Sequence, residues 1–480
     1  MPGIFLRGDP VNISQSNRNL LIAGIAVAVA VMAFIADPAR MAKPGLYQYV
    51  RRAEKYIEEK KFDRAIRYLY RAFDTAPESE ALKLELVRGY LEYAAYLFSR
   101  GDVAGAIRKT AYAYEVMPES VPVVNNLAYY ISVRGVQKSV EGDSPSAGED
   151  IKIALMLAET SEKTRKNIAN YFFNRALDAM DRKDRTTLSM CLDASYELDP
   201  RPETLFLSGL SFYEQRNLEK ALSIWNEALS MRPEDDRVRE KIERVEKEIS
   251  LGHKRSGHTF FDLEIILYLD HKIDWQDLEI HLAEVYSTVG QDLGYYPHEG
   301  TGIIMYDEKD FRDIFQKDGM LRGFYDGNIR IAVSGPWQDA LKTGILAHEY
   351  THAVLSALTE NRCPIWLHEG IAVYQQARYM DISLGELADK VRRGEVLSIS
   401  GIDGYFSRTD DHTLVSLAYQ GAYSAVIFII DEWGWSGLRR LLAGIREQGH
   451  FANALDEKFY ISVPTFERMW NDFLRKKFAS

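Results

Sequence analysis

The sequence contains only two cysteines in 480 residues, Cys191 and Cys363. Two cysteines so far apart exclude a framework of several disulfides, although they leave room for one bridge. Cys363 lies close in sequence to the residues that are assigned below to a metal ion, so a ligand role is an alternative for it. A buried neutral thiol is the more common role of a lone cysteine, and we expect that role here.

Positive charge is also scarce. The chain has 59 lysines and arginines against 70 aspartates and glutamates, and its formal net charge is -11. Because proteins bind phosphates through clustered lysine and arginine, this balance argues against a nucleic-acid partner. The apolar share of 46% and the charged share of 27% are typical of a globular protein. The length predicts two or three domains.

Long apolar runs are limited to residues 20–36, which form an uncharged stretch of 17 residues. At about 1.5 Å per residue this run spans roughly 25 Å, slightly less than the hydrocarbon core of a membrane. We predict a single-pass anchor there, after an N-terminal tail at residues 1–19, with the bulk of the chain on the periplasmic side of a bacterial membrane. The alternatives are a cleaved signal peptide, since Arg7 and Arg18 are basic, and a buried helix of a soluble protein.

Residues 43–250 have a helical pattern in which small residues and prolines recur at fixed offsets. Four sets follow it: Ala53, Ala65, Ala72 and Pro77; Ala94, Ala106, Ala113 and Pro118; Ala176 and Pro200, more weakly; and Gly209, Ala221, Ala228 and Pro233. Facing small residues let two helices pack closely, and the proline ends each unit. The pattern resembles the tetratricopeptide repeat, with four or five units and a capping helix at residues 234–250.

Two further expectations concern this repeat region. Residues 135–150 are rich in glycine, serine and charge, which predicts a loop inserted within one unit. Stacked repeats form a concave surface, so a protein or peptide partner is expected there. The alternative is that the repeats only separate the next domain from the membrane.

After residue 250 the pattern changes to a mixed α+β domain, which we place at residues 251–480. Residues 260–269 and 302–306 predict strands, and residues 278–293 predict a helix. Residues 327–333 alternate, with Ile329, Ile331 and Val333 on one side, as in a half-buried strand. We predict that this strand forms the edge of the substrate cleft, where an extended peptide pairs with its backbone.

Residues 341–358 predict an amphipathic helix that contains the sequence HEYTH at residues 348–352. His348 and His352 lie one turn apart on one face, so both imidazoles can reach one ion at about 2.0 to 2.1 Å. Glu349, beside them, can take a proton from water and return it to a leaving amine. Catalytic zinc commonly has three protein ligands, and Glu369 would complete a His2Glu set. The alternative is a chance motif of two histidines and a solvated glutamate.

The sequence HEYTH followed by WLHEGIA at residues 366–372 resembles the gluzincin metallopeptidases, and in particular the bacterial peptidase MA-like domain. The resemblance covers about residues 252–478. It implies a thermolysin-like fold and one zinc ion per chain, bound by His348, His352 and Glu369, with Glu349 as the general base for zinc-bound water. His368 is an alternative ligand, but neighbouring helical positions point about 100° apart, so we expect it to face elsewhere.

The same resemblance implies that a tyrosine or histidine from a later helix stabilises the oxyanion of the intermediate. Tyr419 is the first candidate for this role, and Tyr423 and His412 are the alternatives; Tyr419 could also serve only in core packing. The sequence thus predicts a membrane-anchored zinc metallopeptidase acting on peptides or proteins, as an endopeptidase or an aminopeptidase. The alternative is an inactive peptidase-like scaffold that binds peptides or assembles an envelope complex.

Overall fold

The computed structural model describes residues 44–478, except 183, 261–262, 271, 298–300, 316–321, 335–339, 396 and 409–410. The predicted anchor at residues 20–36 lies outside the described residues. The described chain forms two compact units. The first comprises most of residues 44–208, and the second comprises residues 209–478 together with 181–182.

The first unit is a helical repeat solenoid. Its helices are α1 (Pro44–Glu58), α2 (Phe62–Thr75), α3 (Glu80–Ser99), α4 (Val103–Val116), α5 (Val121–Val140), α6 (Ser144–Ala158), α7 (Glu162–Asp181), α8 (Arg185–Leu198) and the start of α9 (Pro202–Glu214). Contacts between consecutive helices dominate α1 to α6. The small residues of the sequence pattern lie at such contacts, since Ala53, Ala65, Ala94 and Ala106 are fully buried. This confirms the reason for their regular spacing.

The prediction of an inserted loop at residues 135–150 is wrong. Helix α5 continues through Gly135, and α6 begins at Ser144. A Cβ atom on Gly135 would lie 3.1 Å from Cγ1 of Ile151, so the glycine permits close packing of the two helices. Asp150 is buried and accepts hydrogen bonds from Arg134 at 2.6 and 2.8 Å. The glycine and the charges therefore serve a helix contact rather than a loop.

The second unit begins with the end of α9 and two further helices, and continues into a five-stranded sheet with helices around it. The first helices are α10 (Leu218–Met231) and α11 (Asp236–Ser250), followed by a 3-10 turn (Leu251–Lys254). The strands are β1 (Arg255–Phe260), β2 (Leu263–Tyr268), β3 (Gly302–Asp307), β4 (Gly323–Tyr325) and β5 (Ile329–Val333). The later helices are α12 (Trp275–Leu293), α13 (Glu308–Phe315), α14 (Ala340–Thr359), α15 (Ile365–Gln376), α16 (Gly385–Arg392), α17 (Ile399–Arg408), α18 (His412–Gln448), α19 (Phe451–Phe459) and α20 (Val463–Phe478).

The strand order of the sheet is β1-β2-β3-β5-β4. Strands β2, β3 and β5 are parallel, whereas β1 and β4 pair antiparallel with their neighbours. One face carries Ile265, Ile303 and Ile329 into the main hydrophobic core, which also contains residues of α12, α14 and α15. The opposite face carries Ile304 and Tyr306 into a smaller cluster with α13. The sheet is therefore buried on both faces.

The prediction that residues 327–333 form the edge of the sheet is also wrong. Strand β5 lies between β3 and β4, and the edge strand on this side of the sheet is the three-residue β4. The predicted alternation does place Ile329 and Ile331 in the core, but Arg330 on the other face is only 1% exposed. The backbone N–H of Ala332 donates to the carbonyl of Arg322 at 2.8 Å. A proline at position 332 would remove this hydrogen bond within the sheet.

Helix α18 spans 37 residues and bends at Gly434, where φ is 65°. Within the part of the chain that the structure describes, it is the one helix long and apolar enough to cross a membrane by length and composition. Of its most apolar window, 61% is buried inside the protein. Leu417, Val426 and Ile429 belong to the main core of the second unit. The apolar residues of α18 are thus largely used in packing against α15, α17 and α19.

Candidate metal centre

Helix α14 presents both motif histidines on one face, as their spacing predicts. The rings of His348 and His352 lie 4.7 Å apart between centroids. Glu369, in the first half of α15, is 4% exposed, and its Oε2 lies 3.5 Å from Nε2 of His348 and 3.6 Å from Nε2 of His352. These three ligand atoms all lie within 4.8 Å of one another. The structure therefore brings together the three residues that the sequence proposed as ligands.

This donor set fits a divalent cation such as zinc. Oε2 of Glu369 is buried and has no hydrogen-bond partner among the residues that the structure describes. A buried carboxylate oxygen without a donor is unfavourable unless a cation neutralises it. Two imidazole nitrogens and one carboxylate oxygen are a standard zinc set, and three protein ligands leave a coordination position for water.

Each motif histidine has a partner behind it, and the sequence did not identify these partners. Nδ1 of His348 lies 3.0 Å from Oε1 of Gln376, and Nδ1 of His352 lies 2.7 Å from Nδ1 of His368. When each Nδ1–H donates to its partner, the Nε2 atoms are left free to bind an ion. Gln376 follows Glu369 by seven residues and so lies on the same face of α15, which is the signal that could have found it. His368 is not among the converging ligands.

Burial and charge act differently on the two glutamates. Burial raises the pKa of Glu349 to about 7. Burial also acts to raise the pKa of Glu369, but the imidazoles of His352 and His348 outweigh it and hold that pKa at about 2. Burial holds the pKa of His352 well below its usual value, which favours the neutral ring. Burial also acts to lower the pKa of His348, but Glu369 and Glu349 outweigh it and raise that pKa. A charged carboxylate and a neutral imidazole are the forms that bind metal ions.

Tyr419 lies in electrostatic reach of both glutamates. Burial, followed by the charges of Glu369 and Glu349, raises the pKa of Tyr419 far above its usual value. Its ring packs edge-on against Phe406 at 5.0 Å. Of the two alternatives, Tyr423 packs against Tyr374, 6.1 Å away, and His412 is exposed at the start of α18. Tyr419 is thus the candidate whose hydroxyl interacts electrostatically with Glu369 and Glu349.

Cys363 and a second acidic group do not add to the centre. Cys363 is a free thiol whose pKa is raised by burial, and it is not part of the converging set. Asp270, Asp307 and Asp310 also lie within 4.8 Å of one another. The amine of Lys254 lies 2.6 Å from Asp270 and 2.7 Å from Asp310, so this lysine supplies the positive charge there.

Gly370, next to Glu369, allows α15 to touch α18 near Tyr419. A Cβ atom at this position would lie 2.5 Å from the carbonyl oxygen of Ala422. We expect Gly370→Ala to force the helices apart, to lower the melting temperature and to weaken metal binding, because overpacking a core typically costs about 1 to 3 kcal/mol. Gly404→Ala in α17 is the control, since a Cβ there meets no atom within 4 Å. Thermal unfolding that is the same for both variants would contradict this role.

The comparisons with known proteins fall on both units. A family model described as Peptidase MA superfamily matches residues 316–476. No curated protein matches the chain. Similar solved structures include a thermophilic TPR protein of Thermus thermophilus, with 16% identity, 42% of this chain and 98% of that chain covered, and a TM-score of 0.19. The TPR domain of P58(IPK) shows 11% identity, covers 78% of this chain and 97% of its own, and has a TM-score of 0.16. The match to the Peptidase MA superfamily includes α14, α15 and α18, and with them the three converging ligands, Glu349 and Tyr419.

Proposed function

We propose that the second unit hydrolyses peptide bonds with one zinc ion held by His348, His352 and Glu369. The observation that carries this proposal is the convergence of the three ligand atoms within 4.8 Å beside a buried Glu349. The match of residues 316–476 to the Peptidase MA superfamily supports the same reaction class. The metal ion, when bound, supplies a Lewis acid that lowers the pKa of water and polarises the scissile carbonyl.

Glu349 is the proposed general base. Its side chain is buried, and burial raises the pKa of a carboxyl group, which favours accepting a proton from the attacking water. The protonated side chain can then deliver that proton to the leaving amine. Gln376 and His368 hold the rings of His348 and His352 in place, so that both ligands keep their orientation through the reaction.

Tyr419 is the proposed donor to the oxyanion. Because burial and two nearby carboxylates raise its pKa, the phenol keeps its proton at neutral pH and can donate a hydrogen bond. A donor that is already in place stabilises the developing negative charge without reorganisation. The edge strand β4 has its strand partner, β5, on one side. An extended peptide pairing along β4 would bring its backbone past Glu349.

The proposal extends to the rest of the chain in two respects. The apolar run at residues 20–36 would anchor the protein in a membrane, and the periplasmic side of a bacterial cell would hold the two units. The helical repeat unit would offer a surface for a protein partner or for the substrate. These roles rest on the apolar run and on the repeat architecture, respectively.

Digestion of a defined peptide mixture separates this function from that of an inactive scaffold. We expect the zinc-loaded protein to produce new peptide termini that mass spectrometry detects, and we expect Glu349→Gln to produce them at least about 10²-fold more slowly. The termini also show whether cleavage is internal or removes one residue at a time. A protein that is fully loaded with zinc, binds peptides and cleaves none of them would support the scaffold instead.

A further inference from the structure

The side chain of Glu349 is confined by packing against the edge strand. Its Oε2 is buried, and no described residue forms a hydrogen bond with it. A Cβ atom on Gly323 in β4 would lie 3.1 Å from Cγ of Glu349 and 3.0 Å from Cγ2 of Ile345. The backbone of β4 therefore lies directly against the proposed base, and a methyl group on Gly323 would force its neighbours to move by a few tenths of an ångström. The position of β4 therefore limits the positions that the Glu349 carboxylate can adopt.

The turn that joins β4 to β5 is in turn held by residues from the end of α9. Asn328 in this turn is fully buried, and its Nδ2 donates to the carbonyl of Glu214 at 2.9 Å. Its Oδ1 accepts hydrogen bonds from the guanidinium of Arg216 at 2.9 Å and from the backbone N–H of Gly302 at 3.1 Å. The amide thus uses three bonds to tie the hairpin to α9 and to β3.

A buried ion pair holds the same hairpin two residues further on. Arg330 donates to Glu248 of α11 and to the hydroxyl of Tyr306, and Tyr306 donates to Glu248. Arg330 also donates to Asp326 at 3.0 and 3.1 Å. Glu248 is 1% exposed, so neither charge of the pair is solvated. Loss of either partner would leave a buried charge and threaten the fold, so these residues are poor choices for a functional test.

Arg216 is better suited to a test, because its backbone is unusual. Its φ is +62°, in the left-handed region where glycine is favoured and other residues are uncommon. Its guanidinium also pairs with Glu264 of β2. A glycine would adopt this conformation at least as easily. The contacts of the Arg216 side chain with Asn328 and Glu264 therefore offset the cost of the positive φ.

We propose that Asn328 and Arg216 are positioning residues for the general base. They set the place of the β4–β5 hairpin, and the hairpin holds Glu349 beside the metal ligands. The helical segment from Glu214 to Glu248 then contributes to catalysis by positioning Glu349, although the Peptidase MA match begins only at residue 316. This inference rests on the proposed function, because it assigns positioning to a base that acts only if hydrolysis occurs.

Two substitutions in the full-length protein test the inference. Gly323→Ala pushes directly against Glu349, which must shift by a few tenths of an ångström to make room. We expect kcat to fall by less than the about 10²-fold that is typical of a 1 Å misplacement, with the zinc content and KM unchanged. Arg216→Gly removes the hydrogen bond to Asn328 in the turn and relieves the strain of the positive φ. We expect a smaller fall in kcat and no decrease in the melting temperature. In a Glu349→Gln background neither change should lower the residual rate further, since both act through Glu349.

Matched controls exist for both substitutions. Gly257→Ala in β1 places a Cβ 3.6 Å from its nearest atom, an ordinary contact. Lys60→Gly changes an exposed residue of the first unit that also has a positive φ, 56°. Both controls should leave kcat unchanged. If Glu349→Gln abolishes hydrolysis while Gly323→Ala and Arg216→Gly keep the wild-type kcat, the positioning inference is wrong and the proposed function stands. If Glu349→Gln hydrolyses peptides as fast as the wild type, the proposed function itself fails.

Discussion

Glu349→Gln is expected to reduce peptide hydrolysis by about 10²- to 10⁴-fold, the usual contribution of a general base, while zinc stays bound. Glutamine keeps the size of the side chain and its place against β4 but cannot accept the proton of the attacking water. It also removes a buried carboxylate whose burial raises its pKa to about 7, so the fold should not lose stability. Steady-state kinetics and elemental analysis on the same preparation measure both effects.

The control for this substitution is Glu360→Gln. Glu360 lies between α14 and α15 and pairs with Arg446 at 2.9 Å, away from the converging ligands. The Glu360→Gln variant should keep the wild-type rate of hydrolysis and the wild-type zinc content. Loss of zinc from Glu349→Gln would show that this carboxylate is a ligand, and the assignment of base and ligand would have to be exchanged.

Glu369→Ala is expected to lose metal and activity together. The substitution removes one of three protein ligands and leaves two imidazoles to hold the ion. Replacing an outer partner such as Gln376 with alanine typically costs about 10- to 100-fold in metal affinity. Loss of the ligand itself should cost more. Competition with a chromophoric zinc chelator measures both affinities, and His352→Ala should behave like Glu369→Ala.

The comparison between the two variants provides its own control. Gln376 forms a hydrogen bond with His348 but is not one of the three proposed ligands. Gln376→Ala should therefore keep part of the activity at high zinc concentration. If Glu369→Ala keeps both zinc and activity, the third ligand has been misassigned. His368, which lies directly behind His352, would then be the next residue to replace.

The convergence of His348, His352 and Glu369 could be predicted from the sequence because much of its geometry is local. The four-residue spacing of His348 and His352 is enough to place both rings on one face of a helix. Glu369 follows in the next helix, and the resemblance to gluzincins pointed to it. The small residues of the repeats, such as Ala65 and Ala106, could likewise be recognised because the same contact recurs along the chain.

Features that depend on distant partners could not be predicted. Arg330 would ordinarily be placed in solvent, but it is buried because Glu248, 82 residues away, neutralises it. The order of strands in the sheet depends on pairing between separate segments, so the alternation of residues 327–333 could not show that β4 forms the edge. Glycine favours loops in general, but Gly135 lies where two helices meet.

The contact between His352 and His368 was missed for a related reason. The two residues are 16 apart in sequence and lie on different helices. The helical spacing places His368 and Glu369 on different faces of α15, but it does not show which residue of α14 contacts His368. That depends on how α14 and α15 pack, which is set by the whole core of the second unit.

The most direct test of the account is the metal dependence of hydrolysis by the purified full-length protein. Zinc per chain would be measured by elemental analysis, and peptide cleavage would be measured before chelation, after chelation and after zinc is returned. The account predicts one zinc ion per chain, loss of cleavage on chelation and its recovery with zinc. Cleavage that persists after complete removal of the metal, or a protein that binds no zinc at neutral pH, would contradict it.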